Sequence, residues 1–412
     1  MNRFAAAVVL SLVMAAPAAS QTPEQARAIL QTTPLIDGHN DLPWALRQRF
    51  GSDVRGVDLT ADQSGLQPPL HTDIPRLRAG GVGAQFWSVY VPAGMEPLEA
   101  ARATFEQIDV VNRMLAVHPD AFEFAATADD VERIHGEGRI ASLIGIEGGY
   151  SIADSMGLLR QFHAAGVRYM TLTHSASTSW ADSATDAPRH DGLSPFGEAV
   201  VREMNRLGML VDLSHVSEAT MMDAIRVSEA PVIFSHSSAR AVTDHPRNVP
   251  DSVLRLMPDD GGVVMVTFVP GFVNEAVRAH GAEGAAERSR LQSLHPGDPE
   301  AVTAGLEAWR GANPAPSATL SDVADHIEHI RDVAGIDHVG LGGDFDGVGS
   351  LPEGLTGVET YPALLAELMR RGWSEADIRK LAGENVLRVM RAAEATARRL
   401  SDRAPSLARI ED

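Results

Sequence analysis

The chain has no cysteine, so no disulfide staples it and no lipidated cysteine stands at a cleavage site. Lysine is almost as scarce: Lys380 is the one lysine among 35 basic residues. Acidic residues number 55, giving a formal charge of −20. That balance argues against nucleic acid and anionic membrane surfaces as partners. It leaves a small anionic substrate open, because a single local arginine can hold one. Long apolar runs are missing too. Phe4 to Ala16 falls short of the roughly 20 residues that a spanning helix needs. With Arg3 before it and Ala18-Ala19-Ser20 after it, it reads as a signal peptide over residues 1–20. An exported protein without disulfides suits a bacterial periplasm or secretion. The polar tail Ser401 to Asp412 carries no glycolipid-anchor signal.

What the chain does have is apolar mass, 44% of 412 residues, enough for a large core. No linker-like shift divides residues 21–412, which reads as one catalytic domain. Eight apolar or β-branched runs are spread along it: Leu35 to Gly38, Val82 to Val91, Ile140 to Ile146, Val167 to Thr173, Met209 to Leu213, Pro231 to Phe234, Gly262 to Phe268 and Val339 to Leu341. Amphipathic stretches lie between them, among them Leu98 to Leu115, Ala199 to Leu207 and Val216 to Val227. Eight strand–helix units predict an α/β fold, a closed (β/α)8 TIM-type barrel with chemistry on the loops after the strands. One connection breaks the rhythm. Val269 to Thr319 is an excursion rich in Pro, Gly, Ala and Glu, readable as a lid, an oligomer contact or a passive insertion. Helices over Leu320 to Val333, Tyr361 to Arg371 and Glu375 to Arg399 complete the chain.

The strand ends carry the chemistry. The first run leads into His39 and Asp41, two residues apart, so that an extended backbone points both the same way. Ile146 leads to Glu147, Thr173 to His174, Ser214 to His215, Ser235 to His236 and Gly343 to Asp344. His39, Asp41, Glu147, His215 and His236 make a nitrogen and oxygen donor set that suits zinc and is compatible with Mn, Co or Fe. Five protein ligands exceed the three that one open catalytic zinc takes, and they match two metals roughly 3.5–4 Å apart sharing a bridging carboxylate. Lys380 lies in a helix after the last run, so a carboxylated lysine cannot be the bridge, and Glu147 is the available one. Gly148 and Gly149 after it fit a backbone leaving room for metals or substrate. The remaining histidines, His71 and His326 included, read as packing or solvated residues.

Long words of this sequence resemble the membrane (renal) dipeptidase family of two-zinc metallopeptidases. They include Ile36-Asp37-Gly38-His39-Asn40-Asp41-Leu42-Pro43-Trp44, Gln85-Phe86-Trp87-Ser88-Val89-Tyr90 and Ile146-Glu147-Gly148-Gly149. Leu172-Thr173-His174-Ser175, Asp212-Leu213-Ser214-His215, Phe234-Ser235-His236-Ser237, Arg247-Asn248-Val249-Pro250 and Gly342-Gly343-Asp344-Phe345-Asp346-Gly347 continue it in order. The resemblance implies a dipeptidase with two Zn²⁺, for which Mn or Co can substitute. His39 and Asp41 would hold one, His215 and His236 the other, with Glu147 bridging. It implies that His174 polarises the scissile carbonyl, that Arg247 pairs with the substrate's C-terminal carboxylate, and that Asp344 handles the proton. Asp346, two residues on, is the alternative for that last role. A metal-activated hydroxide would be the nucleophile, D-residues would be tolerated at the C-terminal position, and a homodimer is expected.

The sequence departs from vertebrate members around Ser175 to Trp180, before Arg247, and in the long excursion. Two rivals remain: another two-metal amide or ester hydrolase of the barrel superfamily, and an exported metal-binding protein with an idle site.

Overall fold

The computed structural model describes residues 21–410; the expected export signal over residues 1–20 lies outside them. Nine parallel strands form one sheet: β1 Leu35–Asn40, β2 Val82–Ser88, β3 Phe122–Phe124, β4 Ile140–Glu147, β5 Val167–Thr171, β6 Leu210–Asp212, β7 Ile233–Phe234, β8 Val263–Val266 and β9 Val339–Leu341. The sheet closes because β2 pairs with both β1 and β4 while β9 pairs with β1 and β8. Eight strands thus make the (β/α)8 barrel expected from the apolar runs.

The ninth strand is an addition. β3 pairs with the first half of β4, Phe122 opposite Ile140, and β5 takes over along the second half, with Glu147 opposite Thr171. Three residues are too few to show a two-residue period. Several strands are also shorter than the runs that announced them; β2 ends at Ser88 and β5 at Thr171. The residues beyond those ends leave the sheet and build the site.

Strand residues alternate between two apolar clusters. Phe86, Leu143, Ile233 and Met265 belong to one, while Trp87, Ile144, Phe234 and Val266 belong to the other. That is the two-residue side-chain period of a strand covered on both faces. Helices start where short polar side chains cap them. Ser217 accepts from the Thr220 N–H before Glu218–Val227, and Thr319 and Asp322 form a reciprocal capping box before Leu320–Ala334. The excursion is a helical hairpin, Glu275–Leu294 against Pro299–Ala312, whose own small cluster is Leu291, Val302 and Leu306. Lys380 sits in the helical segment after β9 and pairs with Asp337 at 2.6 Å, clear of the barrel mouth.

His326 is a buried tie between three segments. Its Nδ1 accepts the Ala239 N–H at 2.9 Å, and its Nε2–H donates to the Val273 carbonyl at 3.2 Å. Burial pushes its imidazole down to about 4, although the bond to Val273 opposes this. The unfolded chain therefore takes up a proton near pH 6.5 that the folded one refuses until about pH 4. The stability this neutral ring contributes is fully present above that upper pH and drains away as pH falls through the window. In His326→Asn the acid limb of Tm between these pH values should be shallower by one proton's linkage. Thermal melts of both proteins across that range check this, and parallel limbs would refute it.

Candidate metal centre

Each chemical side chain stands at or just past a strand's C-terminal end. His39 is on β1 and Glu147 ends β4; Asp41, His174, His215, His236 and Asp344 follow within three residues of β1, β5, β6, β7 and β9. The loop after β9 runs beside the end of β1. The Asp41 N–H donates to the Phe345 carbonyl and the Asp344 N–H to that of His39, at 2.9 and 3.2 Å. His215 and Asp344 adopt left-handed φ values of 68° and 61°, a strained geometry for non-glycine residues that clusters at functional sites.

The donors converge on one carboxylate oxygen. Glu147 Oε1 lies 2.9 Å from His215 Nε2, 3.3 Å from His236 Nε2, 3.6 Å from His39 Nε2 and 3.8 Å from His174 Nε2. His39 Nε2 also meets Asp41 Oδ2 at 3.2 Å, and His215 and His236 face each other through Nε2 at 2.9 Å. The five ligand candidates are thus together: Glu147 clusters with His39 and His236, whose rings lie 3.9 Å apart, and again with His215. Asp344 joins the cluster of His39 and Asp41, and His174 that of Glu147 and His215.

These residues fit divalent cations. His39 Nε2 and Asp41 Oδ1 are buried with no hydrogen-bond partner among the described residues, and such atoms are costly unless something binds them. Burial, His174 or His39, and Arg247 hold His215 and His236 well below the usual imidazole range. Burial works against a charge on Glu147, but its partners, His39 foremost, outweigh it and hold the carboxyl well below the usual range. Neutral imidazoles on His215 and His236 and an ionised Glu147 are the protonation states that metal ligands require. His39 differs: burial lowers it, but Tyr169, Glu147 and Asp41 overcome this and raise it well above the usual imidazole range, so a cation bound there would displace its proton. Asp344 is pushed the other way, well above the usual carboxylate range, by burial and by Asp41 and Glu147, against the pull of His39. Two bound cations would relieve that crowding of negative charge.

A cavity of about 420 Å³ opens over this cluster. Arg247 reaches into it from the loop after β7, only 3% exposed. Its guanidinium donates to the His236 carbonyl at 3.2 Å and to the Ser237 hydroxyl at 3.4 Å. The Phe272 ring lies beneath it at 5.4 Å. Its Nε–H has no partner, and no ion pair of Arg247 occurs among the described residues. Burial pushes it down to about 10 against the pull of Asp344 and Glu147, so it stays charged at neutral pH.

The two acids of the last motif differ. Asp346 Oδ1 accepts the His71 N–H at 2.8 Å, and the Asp346 N–H donates to His71 Nδ1 at 2.9 Å. That reciprocal pair ties Asp346 to the wall and makes His71 a packing residue, as expected. Asp344 makes no such bond and stands by His39 and Asp41.

One reading needs correction. Gly148 and Gly149 do not leave room for metals or substrate: a Cβ on Gly148 would strike the Tyr150 ring, and one on Gly149 the Leu172 carbonyl and Trp180. The glycine that keeps the site open is Gly347, whose Cβ would collide with the Asp41 and Asp344 carboxylates. Tyr90 and Phe272 were not singled out as site residues, yet both line the cavity. Tyr90 packs on His174 at 5.0 Å; its place two residues past β2 was the available signal. Phe272 belongs to the first turn of the excursion, which carries no periodic pattern.

Comparison with known proteins finds relatives of one kind, in sequence and in fold. The family model for membrane dipeptidases, peptidase family M19, matches residues 23–404. Dipeptidase 3 of Mus musculus is 41% identical over 376 residues, covering 90% of this chain; the match spans 66% of the mouse protein's own length. The probable dipeptidase PvdM of Pseudomonas aeruginosa has a TM-score of 0.76 at 25% identity, covering 91% of this chain and 99% of that one. A metallo peptidase of Rhodobacter sphaeroides, solved with a phosphinate mimic of the dipeptide L-Ala-D-Ala, has a TM-score of 0.71 at 25% identity, covering 88% and 99%.

Proposed function

The chain belongs to the membrane dipeptidase family, a family of metal-dependent dipeptidases, and we propose that it hydrolyses dipeptides bearing a free C-terminal carboxylate. The observation that carries this reading is Arg247, a buried cation without an anionic partner among the described residues, in the wall of the cavity that holds the metal ligands. His39 and Asp41 would hold one divalent ion and His215 and His236 a second, with Glu147 between them; zinc is the proposed metal. When bound, such ions supply an activated water and a Lewis acid for the scissile carbonyl.

The protein's own groups then divide the work. Arg247 offers a planar fork to the carboxylate one residue beyond the scissile bond. The Asn248 side chain donates to the Thr243 and Phe272 carbonyls at 2.9 and 2.7 Å, which holds the loop before substrate arrives. Burial keeps His174 mostly neutral, against the pull of Glu147. Its Nδ1 lies 3.1 Å from the Ser175 hydroxyl, leaving an Nε2–H to donate to the carbonyl oxygen as charge develops there. Asp344 takes the proton of the attacking water and returns it to the leaving amine. Metals and clamp grip backbone groups and not the C-terminal side chain, so either configuration fits there; the L-Ala-D-Ala mimic on the Rhodobacter protein supports extending this to D-residues. We take residues 1–20 as an export signal and the rest as a single catalytic domain, probed by the N-terminus of the secreted protein.

The clamp is tested with a dipeptide and its C-terminal amide. Arg247→Ala should cost the dipeptide about 2–4 kcal/mol in kcat/KM, the range for truncating one partner of a buried charge pair. The amide should be poor with both proteins and change little. Equal rates on the two substrates before mutation would remove the carboxylate clamp and favour a general amide hydrolase.

A further inference from the structure

Two of the metal-facing imidazoles are gripped from behind, and by different groups. His236 Nδ1 lies 2.8 Å from the Ser235 hydroxyl, and because that hydroxyl gives its own hydrogen to Asp212, Nδ1 carries a hydrogen and donates to it, leaving Nε2 on the Glu147 side. Ser235 in turn donates to Asp212 Oδ2 at 2.6 Å. Asp212 is fully buried at the end of β6 and is saturated with donors. Its Oδ2 also accepts the Thr171 hydroxyl at 2.5 Å, and its Oδ1 takes the Ser214 and Ser235 N–H groups at 3.1 and 2.8 Å. The relay therefore runs from imidazole through hydroxyl to a fixed anion.

His39 is held otherwise. Its Nδ1–H donates to the Tyr169 phenol at 2.9 Å, and the phenol donates to the Gly38 carbonyl at 3.2 Å. Tyr169 comes from β5 and is fully buried. It reaches His39 only because Gly145 lies in its way without a side chain: a Cβ there would come within 2.0 Å of the phenol ring. The Phe86 ring backs Tyr169 at 5.1 Å. His215 has no such grip, since its Nδ1 is buried without a partner among the described residues.

We infer that Ser235 with Asp212, and separately Tyr169, are positioning residues, each fixing the tautomer and ring orientation of one histidine and so setting the affinity of one metal position alone. The inference rests on the two-metal reading above. A hydrogen bond behind a ligating imidazole fixes which nitrogen is free and strengthens it as a donor. The chain ending on the Asp212 carboxylate is charge-assisted, whereas the one ending on a backbone carbonyl is not. Losing the first should therefore cost more.

The measurement is Zn²⁺ titration of metal-stripped protein against a competing chelator, resolving two binding steps. Asp41→Ala and His215→Ala mark which step belongs to which position. Ser235→Ala should weaken the step that His215→Ala removes by about 10–100-fold and leave the other unchanged. Tyr169→Phe should do the converse, by less. Asp212→Asn separates the relay from mere packing, because its remaining carbonyl oxygen still accepts the two N–H groups while the amide cannot accept from Ser235. It should reproduce the Ser235→Ala shift. Shifts of both steps together, or of neither, would overturn the assignment. A His215→Ala protein that keeps both steps would instead strike at the two-metal reading itself.

Discussion

Glu147→Ala should leave purification with neither metal and no measurable hydrolysis, the largest loss expected of any single change in this protein. The reason is the convergence on Oε1, which lies within 4 Å of the Nε2 atoms of His39, His174, His215 and His236. Each ion would lose its shared carboxylate, and the four imidazoles would lose the one carboxylate oxygen that all of them now approach. Glu147→Gln is the sharper variant. It keeps the size and one carbonyl oxygen, so the fold survives, but it removes the charge that two cations need between them. By contrast, Asp41→Ala and His236→Ala should each lose about one equivalent, because each serves one position. Elemental analysis of the purified proteins beside a dipeptide assay decides this. Retention of two equivalents by Glu147→Gln, with activity intact, would remove the bridge.

The parts of this site that could be read in the sequence are those whose position follows from local rules. A run that ends as a strand delivers its next polar residue to one end of a parallel barrel, so His39, Glu147, His215, His236 and Asp344 could be placed together before any contact was known. Counting alone excluded a lysine bridge, since Lys380 is unique and lies elsewhere. What stayed hidden depends on pairs of residues far apart along the chain. Tyr169 looks like one more apolar strand residue until its phenol is found against His39, 130 positions away. Gly145 has no meaning without Tyr169, and the need for Gly148 and Gly149 comes from Tyr150, Leu172 and Trp180, which a Cβ at either position would strike. β3 was too short to carry a period. The hairpin of the excursion is so rich in alanine, glycine and charge that neither helix announces a buried face, and just three of its residues form a cluster of their own.

The choice between the two acids after β9 yields the second large effect. Asp344→Asn should lower kcat on a dipeptide by about 10²–10⁴ while both metals stay bound and KM moves little. An asparagine keeps the size and an acceptor oxygen, yet it can neither take a proton from water nor pass one to the leaving amine. Asp346→Asn should act differently. The His71 N–H that Asp346 now accepts can still be met by the asparagine oxygen, so the wall of the cavity persists and turnover should fall by less than about tenfold, since no proton transfer is lost. The metal content carries the discrimination. Asp344 stands within ligand distance of the His39 and Asp41 cluster, so the geometry also allows it to bind the ion on that side. If Asp344→Asn sheds one equivalent together with its activity, Asp344 is a ligand and the proton must travel through another group. If the metals stay and only turnover collapses, the carboxylate moves the proton. An exchange of the two phenotypes, with Asp346→Asn collapsing and Asp344→Asn nearly silent, would transfer the role to Asp346 and make its contact with His71 part of the proton path.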